Sequence, residues 1–481
     1  MTGSILDLRC DCPEWCDALP STALSNSNAR WRDTLYSRLR ARPDPLLILP
    51  RCTIPAASLW ASVRLWTDFF RTHHLVPGDR VVLAIEPSIG SLAFLLAAIW
   101  EGLTVAIALP YRGSPELLDI FDARLGIGLC GLDADDPGCP LAPVGWQARA
   151  ALGDPSPDAR FITRTSGTSG SPTWVALSDD NLWSVLDAHQ PHLSREGDIV
   201  LSILPWHHSF GLILDLLPAL LNAAVILREP SGGRDPQSII AAAQQWGVNY
   251  CSMVPLQAQR IAVTPGGLDM LRALRAGVVG GAPVSAQLAA KLASTNLRVG
   301  YGQTEASPGI TLGEPGVWIP NALGSPRGCA IRTDPDGRLF VRGPNVAMGV
   351  WEHGRVRRLD PDRWLDTGDL VRVNGDRLIF LGRADNNFKL ANGRIIDAAQ
   401  LEHDLREAFP RAADAMVFSP DGQNLRVCLI ADSADFTPNP DTVRRVLGPL
   451  ADRLDSITIL TEDARIRTPK GALDRRTLAA A

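Results

Sequence analysis

Ile162-Thr163-Arg164-Thr165-Ser166-Gly167-Thr168-Ser169-Gly170-Ser171-Pro172 is the stretch on which the reading of this chain turns. Small hydroxyl residues and glycines make neither a good helix nor a good strand. Folded into a turn, they present backbone N–H groups and hydroxyls to an anion, so a phosphate cradle is one reading. A flexible surface linker is the other, and the run alone supports it equally. It is not a Walker A loop, because the required glycine–lysine spacing is absent and no lysine follows Gly170.

Outward from this run the chain keeps a strand–helix rhythm. On its N-terminal side, Leu59, Val63, Trp66 and Phe70 recur at helical spacing, and Pro77-Gly78-Asp79-Arg80 turns into a strand over 81–85. A helix over 88–100 and a strand over 104–109 complete a βαβ unit. On the C-terminal side the spacing predicts a helix over 180–189, a strand over 199–204, an apolar helix over 211–222 and a strand over 224–227. Further strands are expected over 248–254, 276–279 and 297–301. This alternation predicts an α/β fold built on doubly wound, mostly parallel sheets. Ligands bind off the carboxyl ends of strands in such sheets, so the loops 205–208, 280–283 and 301–305 are expected to converge on one crevice.

From about Cys329 short strands and turn signals take over, with hairpin turns at Asp334-Pro335-Asp336-Gly337 and Asn374-Gly375-Asp376. A last segment carries a helix over 399–408 and strands over 415–418, 426–431 and 456–460, enough for a small α+β domain.

Length and composition set bounds. The 481 residues exceed one ordinary core. An apolar fraction of 46% with 21% charged residues is that of a globular protein. A formal charge of -5 argues against nucleic acid as the main partner. No charged n-region followed by an apolar core opens the chain, and the most apolar window, 91–109, is interrupted by Glu101-Gly102; a cytoplasmic protein with no secretory leader and no membrane span is expected. Nine cysteines, an odd number, suit reduced thiols, and Cys10, Cys12 and Cys16 lack a fourth ligand nearby.

Five separated loops together resemble the signature of the ANL superfamily, which comprises acyl-CoA synthetases, peptide-synthetase adenylation domains and luciferases. Its phosphate loop resembles 165–172. Its acyl-pocket motif resembles Leu204-Pro205-Trp206-His207-His208-Ser209-Phe210-Gly211, and its adenine and magnesium motif Tyr301-Gly302-Gln303-Thr304-Glu305. Its ribose and hinge motifs resemble Asp366-Thr367-Gly368-Asp369 and Gly382-Arg383-Ala384-Asp385 through Gly393. The resemblance is good from about Thr163 onward and loose before it. It implies a large AMP-binding domain over 1–382 that includes a β-rich subdomain, a hinge over 383–387, and a small mobile domain over 388–481.

The resemblance also implies roles. Thr165, Ser166, Gly167 and Thr168 would hold phosphate. Tyr301 would stack on adenine, with Gly280, Gly281 and Ala282 on its other face and Gly302 and Gln303 beside it. Asp369 would accept hydrogen bonds from the ribose. Thr304 would bind the α-phosphate, Glu305 would carry Mg²⁺ if ATP is used, and Arg383 would lie near ribose and phosphate. His207, His208, Phe210 and Gly211 would line the acyl pocket, with His208 beside the reacting carbonyl. Asp385 would be the pivot between an adenylating and a thioester-forming pose, and Gly393 would face the site in the second. The pocket motif lacks the Asp that holds an amino acid's ammonium group, so a hydrophobic, non-amino acid is expected. Arg394, Arg465, Arg467 and Arg475 are available for the phosphates of CoA.

Two departures fall on one half-reaction. The family's phosphate loop continues Pro-Lys-Gly, where this chain has Pro172-Thr173-Trp174; its catalytic lysine aligns with Ala472. Losing one preorganised donor costs roughly 10²–10³ in rate. The chain is thus similar to the non-adenylating, thioester-forming ligases of platensimycin and platencin biosynthesis, which take a ready-made acyl-adenylate and CoA to acyl-CoA and AMP. A separate adenylating ligase would then be a partner. Three alternatives stay open: a complete ATP-dependent synthetase in which Lys470 stands in, an engineered Lys-to-Ala variant of one, and a pseudoenzyme that only holds acyl-adenylate.

Overall fold

A computed structural model describes residues 26–40, 45–50, 52–85, 87–108, 116–127, 158–165, 173–374, 377–386, 388–390, 395–421, 423–431, 433, 435–461 and 473. The expected phosphate loop at Ser166–Thr168, the Gly393 face and the Ala472 position lie outside these residues. So do Lys470, the arginines Arg394, Arg465, Arg467 and Arg475, and the cysteines Cys10, Cys12 and Cys16.

A seven-stranded sheet runs, edge to edge, Arg355–Arg358, Gly349–Glu352, Trp174–Ser178, Ala159–Arg164, Thr104–Ala108, Arg80–Ala84 and Leu125–Ile127. The four strands from Ala159–Arg164 to Leu125–Ile127 are parallel, and the remainder are antiparallel. Apolar residues fill Arg80–Ala84 and Thr104–Ala108 continuously because helices cover the sheet. The helix Ile89–Glu101 between them starts at Ser88, whose hydroxyl accepts the Ser91 N–H, and ends at Gly102 in the left-handed region.

A second sheet orders Cys52–Pro55, Pro45–Leu49, Val225–Arg228 and Ile199–Ser202, and a third Val278–Gly280, Arg298–Tyr301, Thr311–Leu312 and Ser325–Pro326. The strand expected over 248–254 is not a regular one. Single bridges at Tyr250 and Met253 join the two sheets there instead. The β-rich region forms a fourth sheet, Ala330–Thr333, Arg338–Arg342, Leu365–Asn374 and Arg377–Arg383. Beyond it the helix Ala398–Ala408 packs with Ala412–Phe418, Leu425–Ala431 and Leu454–Thr461 around a separate cluster that includes Leu405, Val427 and Val443.

The expected helix over 211–222 is interrupted. Helical turns at Ser209–Gly211 and Leu217–Leu221 flank a π-helical turn at Leu212–Leu216, a form seen mostly as single bulges inside α-helices. The turns Leu212–Leu216 and Leu217–Leu221 are buried throughout. Gly211 is required at the start of the run: a Cβ there would lie 2.3 Å from the Pro205 carbonyl oxygen, so the helix can fold back on its own entry loop only without a side chain.

Candidate active site

The loop 166–172 is framed by described residues on both sides. The Thr165 N–H donates to the Thr173 carbonyl at 2.8 Å, and the strands Ala159–Arg164 and Trp174–Ser178 pair from Arg164↔Trp174 outward. Both ends are fixed from below: Arg160 makes two 2.8 Å bonds to Asp179, which also accepts Trp31 Nε1 at 2.8 Å. All three side chains are buried. Trp174, which departs from the resemblance, turns its ring onto Phe121 at 4.7 Å, edge to face, and joins the cluster of Phe121, Leu118 and Trp351. Its bulk is absorbed by the sheet. Thr173 is exposed.

The three loops expected to converge do so around a cavity of about 120 Å³. Its lining takes His208, Phe210 and Gly211 from the first loop, Gly280 and Gly281 from the second, and Tyr301, Gly302, Gln303 and Thr304 from the third. Ser209 Oγ and Thr304 Oγ1 lie 3.0 Å apart and tie two of the loops together. Gly280 is glycine for its neighbouring strand, since a Cβ would stand 2.6 Å from the Gly300 carbonyl. His207 and Ala282 are not among the lining residues. The His207 ring stands 4.6 Å from that of His208, and burial, with Arg228 nearby, lowers its pKa to about 4.

Tyr301 joins the cavity to residues 366–369, the segment expected to meet the ribose. Its hydroxyl donates to Asp369 Oδ2 at 2.6 Å, while Arg383 Nη1 donates to Asp369 Oδ1 at 2.9 Å and to the Thr367 carbonyl at 2.9 Å. Burial and the Asp369 charge push the Tyr301 phenol well above its ordinary pKa, so it stays protonated and can donate. Asp369 is buried and gathers Tyr301 and Arg383, two of the residues the sequence singled out.

Glu305 is half-buried next to Thr304, with Arg363 within electrostatic reach. Among the described residues no three His, Cys, Asp or Glu cluster as a metal cage. One carboxylate beside hydroxyls still fits Mg²⁺, which is typically held by one or two carboxylates plus substrate phosphates. Asp385 lies in the short turn Ala384–Asn386 that follows the strand Arg377–Arg383.

Sequence reasoning missed His189. It ends the helix Asp179–His189 and lines the cavity with Leu193, Leu214, Val278 and Leu312. Only the fold brings it there; a histidine closing an amphipathic helix carries no such signal. Among the described residues, two polar atoms of the lining side chains are buried without a partner, His189 Nε2 and Gln303 Nε2.

Residues 134–351 match the model of the AMP-binding enzyme family. The chain is 28% identical over 292 residues to a feruloyl-CoA synthase of Amycolatopsis sp, covering 57% of each chain. It is 28% identical over 299 residues to 4-coumarate-CoA ligase 2 of Narcissus pseudonarcissus, covering 56% of this chain and 52% of that one. The chain thus spans little more than half the length of these relatives. A benzoate CoA ligase from Burkholderia xenovorans LB400 superposes with a TM-score of 0.73 at 18% identity, over 95% of this chain and 100% of that one. The chain has the fold of this ligase, the ANL fold. No helix among the described residues is long and apolar enough to cross a membrane.

Proposed function

We propose that this protein is an acyl-CoA synthetase that joins a hydrophobic organic acid to CoA through an acyl-adenylate. The observation that carries the reading is Tyr301, which lines the acyl cavity and at the same time bonds Asp369 and, through it, Arg383. A single residue thereby couples an apolar chamber to groups suited to a ribose and a phosphate. The matched relatives, a feruloyl-CoA synthase and a 4-coumarate-CoA ligase, support the same reaction class. In the first half-reaction the acid's carboxylate attacks the α-phosphate of ATP and pyrophosphate leaves. In the second the CoA thiol attacks the acyl carbonyl and AMP leaves. Glu305 would hold Mg²⁺, which supplies charge neutralisation at the phosphates.

A second reading rests on Thr173 and Ala472, which stand where two lysines are expected. In it a separate enzyme provides acyl-AMP and this protein performs only the second half-reaction. Two assays separate the readings: thioester formation from acid, ATP and CoA, and thioester formation from synthetic acyl-AMP and CoA. Product in both supports the complete synthetase; product in the second alone supports the restricted one; none in either removes both. Asp369→Ala is expected to weaken binding of a non-hydrolysable acyl-AMP analogue by about 1.5–3 kcal/mol, the range for hydrogen bonds to a charged group. An unchanged dissociation constant in calorimetry would take Asp369 out of the nucleotide site.

A further inference from the structure

Arg363 carries a charge that nothing in the described structure uses. Among the described residues its guanidinium forms no hydrogen bond or ion pair, and Nε is enclosed without a partner. The side chain as a whole is half-buried, and its Nη groups keep contact with solvent. Burial and the Arg357 charge lower its pKa, with Asp360 and Glu305 opposing, yet an arginine stays protonated at neutral pH. Two of these neighbours are engaged elsewhere. Arg357 bonds Glu352 at 2.8 and 3.2 Å, and an Asp360 oxygen accepts the Asp362 N–H at 2.9 Å.

The chain on either side aims the residue. Trp364 is held on the outer face of the fourth sheet, where the guanidinium carbons of Arg332 and Arg342, both exposed, stand 4.6 and 4.7 Å from its ring centroid. Successive residues of an extended chain point to opposite faces, so Arg363 falls on the inner face with Leu365. Leu365 packs there with Ala306, Val341 and Val346, and the Ala347 N–H donates to the Glu305 carbonyl at 2.9 Å. The unpaired cation is thereby brought to the turn that carries Thr304 and Glu305. Packing of the stem accounts for its methylenes. It does not account for a charged group whose Nε is enclosed without an acceptor, which is costly. This end of the site is otherwise short of positive charge, because Thr173 stands where a lysine is expected and Arg383 is bound to Asp369 further along the strand.

We propose that Arg363 is a phosphate-binding residue whose Nη groups meet the β- and γ-phosphates of ATP beside Glu305 and supply the positive charge that Thr173 does not. This rests on the reading in which ATP is a substrate. As the acid's carboxylate attacks the α-phosphorus, the bond to the bridging oxygen breaks and its electron pair stays on pyrophosphate; a fixed guanidinium stabilises that growing charge. AMP lacks both phosphates and makes no such contact.

ATP with Mg²⁺ and AMP are each titrated into the full chain by calorimetry, without acid or CoA, so that nothing turns over. In Arg363→Gln, ATP binding should weaken roughly tenfold or more, the worth of a hydrogen bond to a charged group, while AMP binding stays unchanged. Arg363→Lys keeps the charge and should recover part of the loss. In the wild type the ¹⁵N resonance of Arg363 Nε, followed by NMR, should move with ATP and stay with AMP, which decides the matter even if a variant fails to fold. Absence of ATP binding, an unchanged ATP affinity in Arg363→Gln, an equal loss for ATP and AMP, or a resonance unmoved by ATP each overturns the assignment. Thioester formation from acid, ATP and CoA, assayed separately, shows which claim has failed. A wild type that makes product without an Arg363 effect loses only this contact, and Arg363-dependent ATP binding in a protein that makes none removes only the synthetase reading.

Discussion

Asp215 shows how far one side chain can depart from its ordinary chemistry. It lies in the π-helical turn Leu212–Leu216, fully buried, with no hydrogen bond to either carboxylate oxygen. Ser252 is beside it but donates its proton to Tyr250, and the Arg228 guanidinium is spent on the Ser202 and Leu204 carbonyls. Burial raises the Asp215 pKa from 3.8 to about 7, with Arg228 opposing. A raised carboxyl pKa means that the folded chain keeps a proton the unfolded chain has lost. Its stabilising share is thus full below the ordinary pKa, falls as pH rises towards 7 and is gone above it. Asp215→Asn should flatten this fall, leaving the variant more stable than the wild type at pH 8 by about 2–4 kcal/mol. Urea unfolding at pH 5 and pH 8 checks it, and parallel pH profiles for the two proteins would refute it. Neither this residue nor His189 was legible as unusual in the sequence, because burial and missing partners are properties of the packing.

Between residue and molecule, the helix Asp179–His189 is the element on which the site hangs. It starts with a reciprocal cap in which Ser178 Oγ accepts the Asn181 N–H and Asn181 Oδ1 accepts the Ser178 N–H. Asn181 then reaches across the fold, donating Nδ2 to the Pro344 and Val346 carbonyls at 2.7 and 2.9 Å and accepting the Met348 N–H at 3.1 Å. One side chain so joins the helix after the loop 166–172 to a segment far along the chain. Asn181→Ala would leave several buried backbone groups unsatisfied, and a loss of about 3 kcal/mol is expected, read as a lower denaturation midpoint. A change below about 0.5 kcal/mol would show that the staple is not what holds the helix. The helix itself was expected within one residue, since its apolar spacing is local. The bulged helix after Gly211 was not, because a π turn leaves no mark on the apolar pattern and arises from how the run packs.

At the scale of the molecule, the order of the motif loops was legible because small and polar residues close each strand, and their convergence followed from sheet topology alone. The mixed character of the seven-stranded sheet was not legible, since antiparallel partners such as Gly349–Glu352 come from far along the chain. The same scale governs the contact between the fourth sheet and the C-terminal segment. A Cβ on Gly382 would lie 2.6 Å from the Ala399 Cβ, and Arg406 Nη2 donates to the Leu381 carbonyl at 3.1 Å, so the helix Ala398–Ala408 sits directly on the strand Arg377–Arg383. If the turn at Asp385 is the pivot between two poses, Gly382→Val should disfavour this one and change the ratio of the two half-reactions by roughly tenfold, about 1.4 kcal/mol. An equal fall in both would indicate general destabilisation in place of a pose effect.

Trp174 also makes the loop visible to light. Its indole stands edge-on to Phe121 directly after Thr173, whose carbonyl receives the Thr165 N–H, so a shift of the Thr165–Thr173 pair would alter the surroundings of a half-buried fluorophore. Subtracting the emission of Trp174→Phe from that of the unaltered protein isolates its signal from the rest of the 13 tryptophans. Trp174 thereby becomes a built-in optical gauge of the Thr165–Thr173 pair, readable without a label.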